Sequence, residues 1–167
     1  MSHNGREADR KRAGDALRRL VDLVSHRSGT IFSLMNNAAV TLPQVLLMSQ
    51  VDRLGSASLS DLARGSNATV AAMSQMIERL VQQQWLYRAE DPLDRRRKAI
   101  AATPRARAFL RKLEAARSAE YELGLACVNP ELRARMARLL ARAAAEIEHG
   151  RGSDRRRAAE ATEEFAR

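Results

Sequence analysis

Apolar residues recur along most of this chain at the three- and four-residue spacing of a single helix face. Between Ala13 and Ala39 they fall at Ala13, Leu17, Leu20, Val21, Val24, Ile31, Leu34, Met35 and Ala38. That stripe predicts one long helix, with Ser28-Gly29 as the place where it can bend. In TLPQVLLMSQVDRLG, Thr41 and Gln44 have the spacing of a capping box, Pro43 falls in the first turn and Gly55 follows the last apolar turn. A second helix follows. The stretch from Ser58 to Trp85 then divides into two short helices. Ser58 with Asp61 caps the first, Arg64 to Ala68 make the turn, and Thr69 caps the second. On this last helix Val70, Met73, Ile77, Leu80 and Gln84 are expected on the packed side. Ala71, Gln75, Glu78 and Gln82 are expected on the other.

The period changes to two at WLYRAE, Trp85 to Glu90, which predicts a strand; KAIAAT, Lys98 to Thr103, predicts a weaker second one. Asp91-Pro92 opens the turn between them. The tip of this hairpin, DPLDRRRK, places three consecutive arginines and a lysine together. So many like charges on a loop call for an external anion to neutralise them. Beyond the hairpin, Thr103-Pro104 and Asn129-Pro130 each start a helix with a cap and an N1 proline, and Gly150 is expected to end the second. Phe109, Leu113 and Ala116, then Leu132, Met136, Leu139 and Ile147, form stripes that a partner subunit is expected to bury. For Arg151 to Arg167, rich in alanine and charge, helix and disorder both stay open.

The predicted architecture is mostly α with a small β-wing: a winged helix-turn-helix lobe over residues 41–103, flanked by helices at 8–40 and 104–150 and a charged extension at 151–167. Composition narrows the function. A chain of 167 residues with 45% hydrophobic content can build a real core, and a net charge of +9 favours a polyanionic partner, nucleic acid before membrane. No run of 18 apolar residues occurs, and no apolar stretch follows the charged N-terminus, so a cytoplasmic location without a membrane partner is expected. One cysteine, Cys127, and three separated histidines offer neither a disulfide framework nor a local metal-ligand pair. With no nucleotide-binding glycine loop and no nucleophile-base pair, neither an enzyme nor a cofactor is expected.

The string from Thr41-Leu42-Pro43-Gln44 through SLSDLARGSNATVAAMSQMIERLVQQQWLYRAEDPLDRRRKAIAAT resembles the MarR family of bacterial transcriptional regulators, above all in the wing pattern D-P-x-D-R-R followed by a strand and a threonine. The resemblance runs from about Val40 to Ala106. It implies a homodimer whose terminal helices interlock and whose two winged lobes meet successive major grooves of a pseudo-palindromic operator in double-stranded DNA. Family members are mostly repressors or activators released by small ligands or oxidation, and a repressor is the expectation here.

From the helix, Thr69, Val70, Ala71, Ala72, Ser74, Gln75 and Arg79 are expected at the DNA; from the wing, Asp94, Arg95, Arg96, Arg97 and Lys98. By the resemblance, Asp94 pairs with a nearby arginine to brace the wing and Arg96 enters the minor groove. Gln75 can pair bidentately with adenine. An effector of the phenolic or aromatic-acid class is expected near His26, Phe32, Asn36 and Asn37. Cys127 is a weak redox candidate, since oxidation-sensing relatives carry their cysteine near the start of the first helix.

Two positions depart from the family pattern: Gln84 and Ala106 stand where glycines are usual. The other class of function these features allow is a helical dimeric module that binds a protein or an anionic surface without sequence-specific DNA binding.

Overall fold

The computed structural model describes residues 3–25, 29–64, 69–90 and 98–165. Its elements, in order, are α1 (His3–Val24), α2 (Thr30–Asn37), α3 (Leu42–Leu54), α4 (Leu59–Arg64), α5 (Val70–Gln82), β1 (Leu86–Glu90), β2 (Lys98–Ala102), α6 (Pro104–Gly124) and α7 (Pro130–Phe165). The mostly helical chain with a small two-stranded antiparallel sheet is the fold class the periodicity predicts. The chain divides into two units, Met1–Gly124 and Leu125–Arg167.

In the first unit, the five largest fully buried side chains come from four elements: Met48 and Val51 from α3, Leu62 from α4, Leu80 from α5 and Leu86 from β1. Around them Val45, Leu47, Met73, Ile77, Trp85, Ile100, Phe109 and Leu113 complete one core. Each fully buried aliphatic side chain contributes roughly 1.5–3 kcal/mol from apolar surface removed from water. Phe109 and Leu113 thus spend their apolar surface on this subunit's own core and are not left for a partner. That corrects the expectation for the first half of the 104–150 stripe. The N-terminal stripe behaves differently: among the described residues of α1 only Val24 is buried, while Leu17, Val21 and Leu23 are exposed.

The predicted continuous helix from Ala13 to Ala39 is two helices. Gly29 adopts φ 63° as the residue before α2, and a left-handed backbone cannot propagate a right-handed helix. Residues 26–28 lie outside the described residues. α2 turns Ile31, Leu34, Met35 and Ala38 against the core. At its end, the Ala39 N–H donates to the Asn36 carbonyl at 3.0 Å and the Val40 N–H to the Met35 carbonyl at 3.1 Å, with Ala39 at φ 51°. This is the Schellman arrangement, closed here without glycine.

The Gln44 arm of the predicted capping box is present: Gln44 Oε1 accepts from the Thr41 N–H at 2.8 Å. Gly55, at φ 74°, ends α3 as expected. Ser58 starts α4, its Oγ accepting from the Asp61 N–H at 3.2 Å and donating to Asp61 Oδ2 at 2.6 Å.

In the second unit, Asn129 Oδ1 accepts from the Glu131 N–H at 2.8 Å and starts α7. The helix then runs through Gly150 to Phe165, past the predicted stop. A glycine ends a helix where the backbone turns left-handed; among the described glycines only Gly29 and Gly55 do so. Leu132, Leu139, Leu140 and Ile147 are exposed along α7, and Met136 is half-buried.

Candidate nucleic-acid interface

α4 and α5 are the predicted helix pair; most of the turn between them, residues 65–68, lies outside the described residues. Thr69 caps α5, its side chain accepting from the Ala72 N–H at 3.2 Å. That bond sets where the first turn of α5 begins and so where its outer face points. Met73, Ile77 and Leu80 are buried, whereas Ala71, Ala72, Gln75, Glu78, Arg79 and Gln82 are exposed and Ser74 is half-buried. The amphipathic reading holds with two corrections. Val70 is 58% exposed, because the first turn of α5 stands clear of the core. Gln84 is not on the helix at all: α5 ends at Gln82, and Gln84 sits in the corner that follows with φ 59°.

The wing starts from that corner. Here the Gln84 N–H donates to the Val81 carbonyl at 3.0 Å and the Trp85 N–H to the Leu80 carbonyl at 2.8 Å, a second Schellman closure around a non-glycine residue. β1 and β2 pair antiparallel, Leu86 opposite Ala102, Arg88 opposite Ile100 and Glu90 opposite Lys98. Trp85 is buried just before β1, and the strands are each one residue shorter than predicted. Sequence reading missed a third backbone partner. Ala57 exchanges two hydrogen bonds with Ile100, at 3.0 and 2.8 Å, so the hairpin is stitched to the segment between α3 and α4. One residue of bridge leaves no alternating pattern to detect.

At the base of the wing, the Thr103 hydroxyl donates toward the Gln84 carbonyl at 2.9 Å and the Trp85 carbonyl at 3.1 Å, and accepts from the Ala106 N–H at 3.2 Å. It ties the start of β1 to the start of α6. Arg105 lies over the Trp85 ring at 4.0 Å from its centroid and donates to the Gln83 carbonyl at 2.8 Å. Ala106, where a glycine is usual, is wholly buried in the same corner.

Higher on the wing, Arg88 Nη2 donates to Glu78 Oε2 at 2.6 Å, joining β1 to the outer face of α5. Sequence reading gave Arg88 no role, since a separation of ten residues across a helix, a corner and a strand matches no local spacing. Of the predicted wing residues, Asp94, Arg95, Arg96 and Arg97 lie outside the described residues, and Lys98 begins β2.

The predicted effector residues lie on or before α2. Phe32 is 77% exposed, Asn36 and Asn37 are exposed, and His26 lies outside the described residues. A cleft of about 390 Å³ opens elsewhere, between α3 and α6. Its apolar wall is Leu42, Val45, Leu46, Leu110 and Leu113, and Arg53 and Arg117 stand at its edge with Asp52 and Glu114. Arg107 Nε donates to Asp52 Oδ1 at 3.0 Å and joins the same two helices.

Residues 40–98 match the family model described as "MarR family". Three solved structures share the fold. A MarR family protein from Bacillus stearothermophilus is 13% identical, with 84% of this chain and 96% of that one aligned and a TM-score of 0.64. The transcriptional regulator Tm0710 from Thermotoga maritima is 16% identical over 84% of this chain and 96% of its own, at a TM-score of 0.70. The YusO protein from Bacillus subtilis is 21% identical over 86% and 98%, at 0.57. No curated protein matches the chain in sequence.

Proposed function

We propose, on the premise that residues 40–98 match the MarR family model, that this chain is a homodimeric regulator of transcription that binds a pseudo-palindromic operator in double-stranded DNA. α5 enters the major groove with Ala71, Ala72, Ser74, Gln75 and Arg79, and the wing lies along the minor groove with Arg95, Arg96, Arg97 and Lys98. One observation carries the reading: α5, capped by Thr69, shows an outer face of small and polar side chains, and a hairpin anchored by Thr103 and Ala57, with a cationic tip sequence, follows it. Short side chains let a helix approach base edges closely, and arginines suit the electronegative minor groove.

The exposed apolar positions of α1 and of α7 support a dimer, since a partner's equivalent helices would remove them from water. The protein acts as a repressor that a small aromatic acid releases. The cleft between α3 and α6 supports that class, because its apolar wall suits a ring and Arg53 or Arg117 suits a carboxylate.

The deciding experiment is fluorescence anisotropy with labelled duplexes from the DNA flanking its own coding region. Sequence-specific binding predicts a preferred duplex and a log-log salt slope of about 0.9 per contacted phosphate. Equal, weak binding to every duplex would favour a helical module for a protein or an anionic surface. Added benzoate is expected to weaken the preferred complex.

A further inference from the structure

Two backbone attachments hold the wing near its root, the Trp85–Thr103 corner and the Ala57–Ile100 bridge. Both sit at or below the middle of the ladder, since Ile100 pairs with Arg88, the third of the five pairs. At about 3.3 Å per residue, Glu90 stands roughly 13 Å from Leu86 along β1. Rocking by about 10° about the root would therefore carry the far end of the ladder some 2 Å toward or away from α5. The Ala57 bridge lies on the same rung as Arg88 but joins β2 to the segment before α4, so neither attachment ties the ladder to α5.

Arg88 is placed to resist it. Its guanidinium reaches across to Glu78, whose carboxylate projects from the same exposed face of α5 as Ala71 and Gln75, and the contact is 2.6 Å. Both side chains are about half exposed, so the pair is open to solvent and adds little to global stability. What it does fix is an angle. A carboxylate on the face of α5 turned toward DNA is otherwise unfavourable, since it repels the phosphates.

We propose that Glu78 and Arg88 are positioning residues, whose ion pair sets the angle between the wing and α5 so that helix and hairpin fit adjacent grooves together. The inference rests on the DNA-binding reading above and makes a prediction opposite in sign to the obvious one. If Arg88 simply met a phosphate and Glu78 were a bystander, removing the Glu78 charge would tighten binding. With the pair as brace, Glu78→Gln weakens it.

The test has two arms. In the first, amide hydrogen exchange is measured across β1 and β2 in Glu78→Gln, Arg88→Gln and the charge-swapped double variant Glu78→Arg/Arg88→Glu, without DNA. Exchange of the ladder amides is expected to rise several-fold in each single variant and to return toward the starting protection in the swap, while the melting temperature stays in place. Unchanged exchange in the single variants overturns the brace. In the second arm, anisotropy against the preferred flanking duplex is expected to show both single variants weakened by roughly three- to fivefold, with Glu78→Gln leaving the salt slope unchanged. Tighter binding by Glu78→Gln overturns the proposal. If the unmodified protein ignores duplex DNA altogether, it is the DNA-binding reading that fails, and the exchange arm alone decides whether the brace exists.

Discussion

Gln84 occupies a corner that glycine fills better, and Gln84→Gly tests the backbone geometry there directly. At φ 59° the Cβ of an L-residue crowds its own backbone, which costs about 1–2 kcal/mol. Glycine removes that cost but gives the unfolded chain more freedom, returning about 0.5–1 kcal/mol. The Schellman bonds use backbone atoms only, Gln84 N–H to Val81 and Trp85 N–H to Leu80, and survive the change. The Gln84 side chain is exposed, so little packing is lost. The net expectation is a gain of about 0.5–1 kcal/mol, or roughly 1–4 °C in Tm for a chain of this size. Urea denaturation at fixed protein concentration measures it, since self-association of any kind makes apparent stability depend on concentration. Gln84→Ala is the control: it keeps the Cβ and should leave stability nearly unchanged. Ala39→Gly, at φ 51° in the other glycine-free closure, should give a similar gain, additive with the first. Destabilisation by Gln84→Gly, or an equal gain from the alanine control, would refute the left-handed assignment.

Three further outcomes follow. Thr103→Val keeps the shape but removes the hydroxyl that caps α6 and meets Gln84 and Trp85, and should cost about 1–2 kcal/mol in urea denaturation. Gly124→Ala should destabilise by about 1–3 kcal/mol, because the new Cβ would stand 2.7 Å from Val24 Cβ and 2.8 Å from Val24 Cα, where backbone must move; a neutral thermal melt would contradict that approach of α1 to α6. Arg96→Ala should weaken binding to the preferred duplex by about 1–3 kcal/mol without changing the melt, and unchanged affinity in a gel-shift titration would count against the wing's contact with DNA.

The helices that were legible are those whose signals are local. Thr69, Ser58, Asn129 and Thr103 each act on a backbone N–H two or three residues ahead, so a cap is written within one turn of sequence. The buried side of α5 was legible for the same reason, since Met73, Ile77 and Leu80 repeat at helical spacing. Glycines were less reliable guides. Gly55 stopped a helix, Gly29 split one that seemed continuous from its apolar stripe, and Gly150 lies within another. Identity alone does not say whether a glycine turns left-handed.

The candidate site divides along the same line. Which residues of α5 face outward, and that a cationic hairpin follows, are properties of neighbours in sequence, and the chain alone determined them. Tertiary structure decided what depends on distant partners: the stitch of Ala57 to Ile100, the reach of Arg88 to Glu78, the cleft between α3 and α6, and the commitment of Phe109 and Leu113 to this subunit's core. The physical reason is range. Caps, periodicity and turns are set by atoms a few bonds apart, whereas an ion pair between a helix and a strand, or a cleft between two helices, exists only after the core has brought them together.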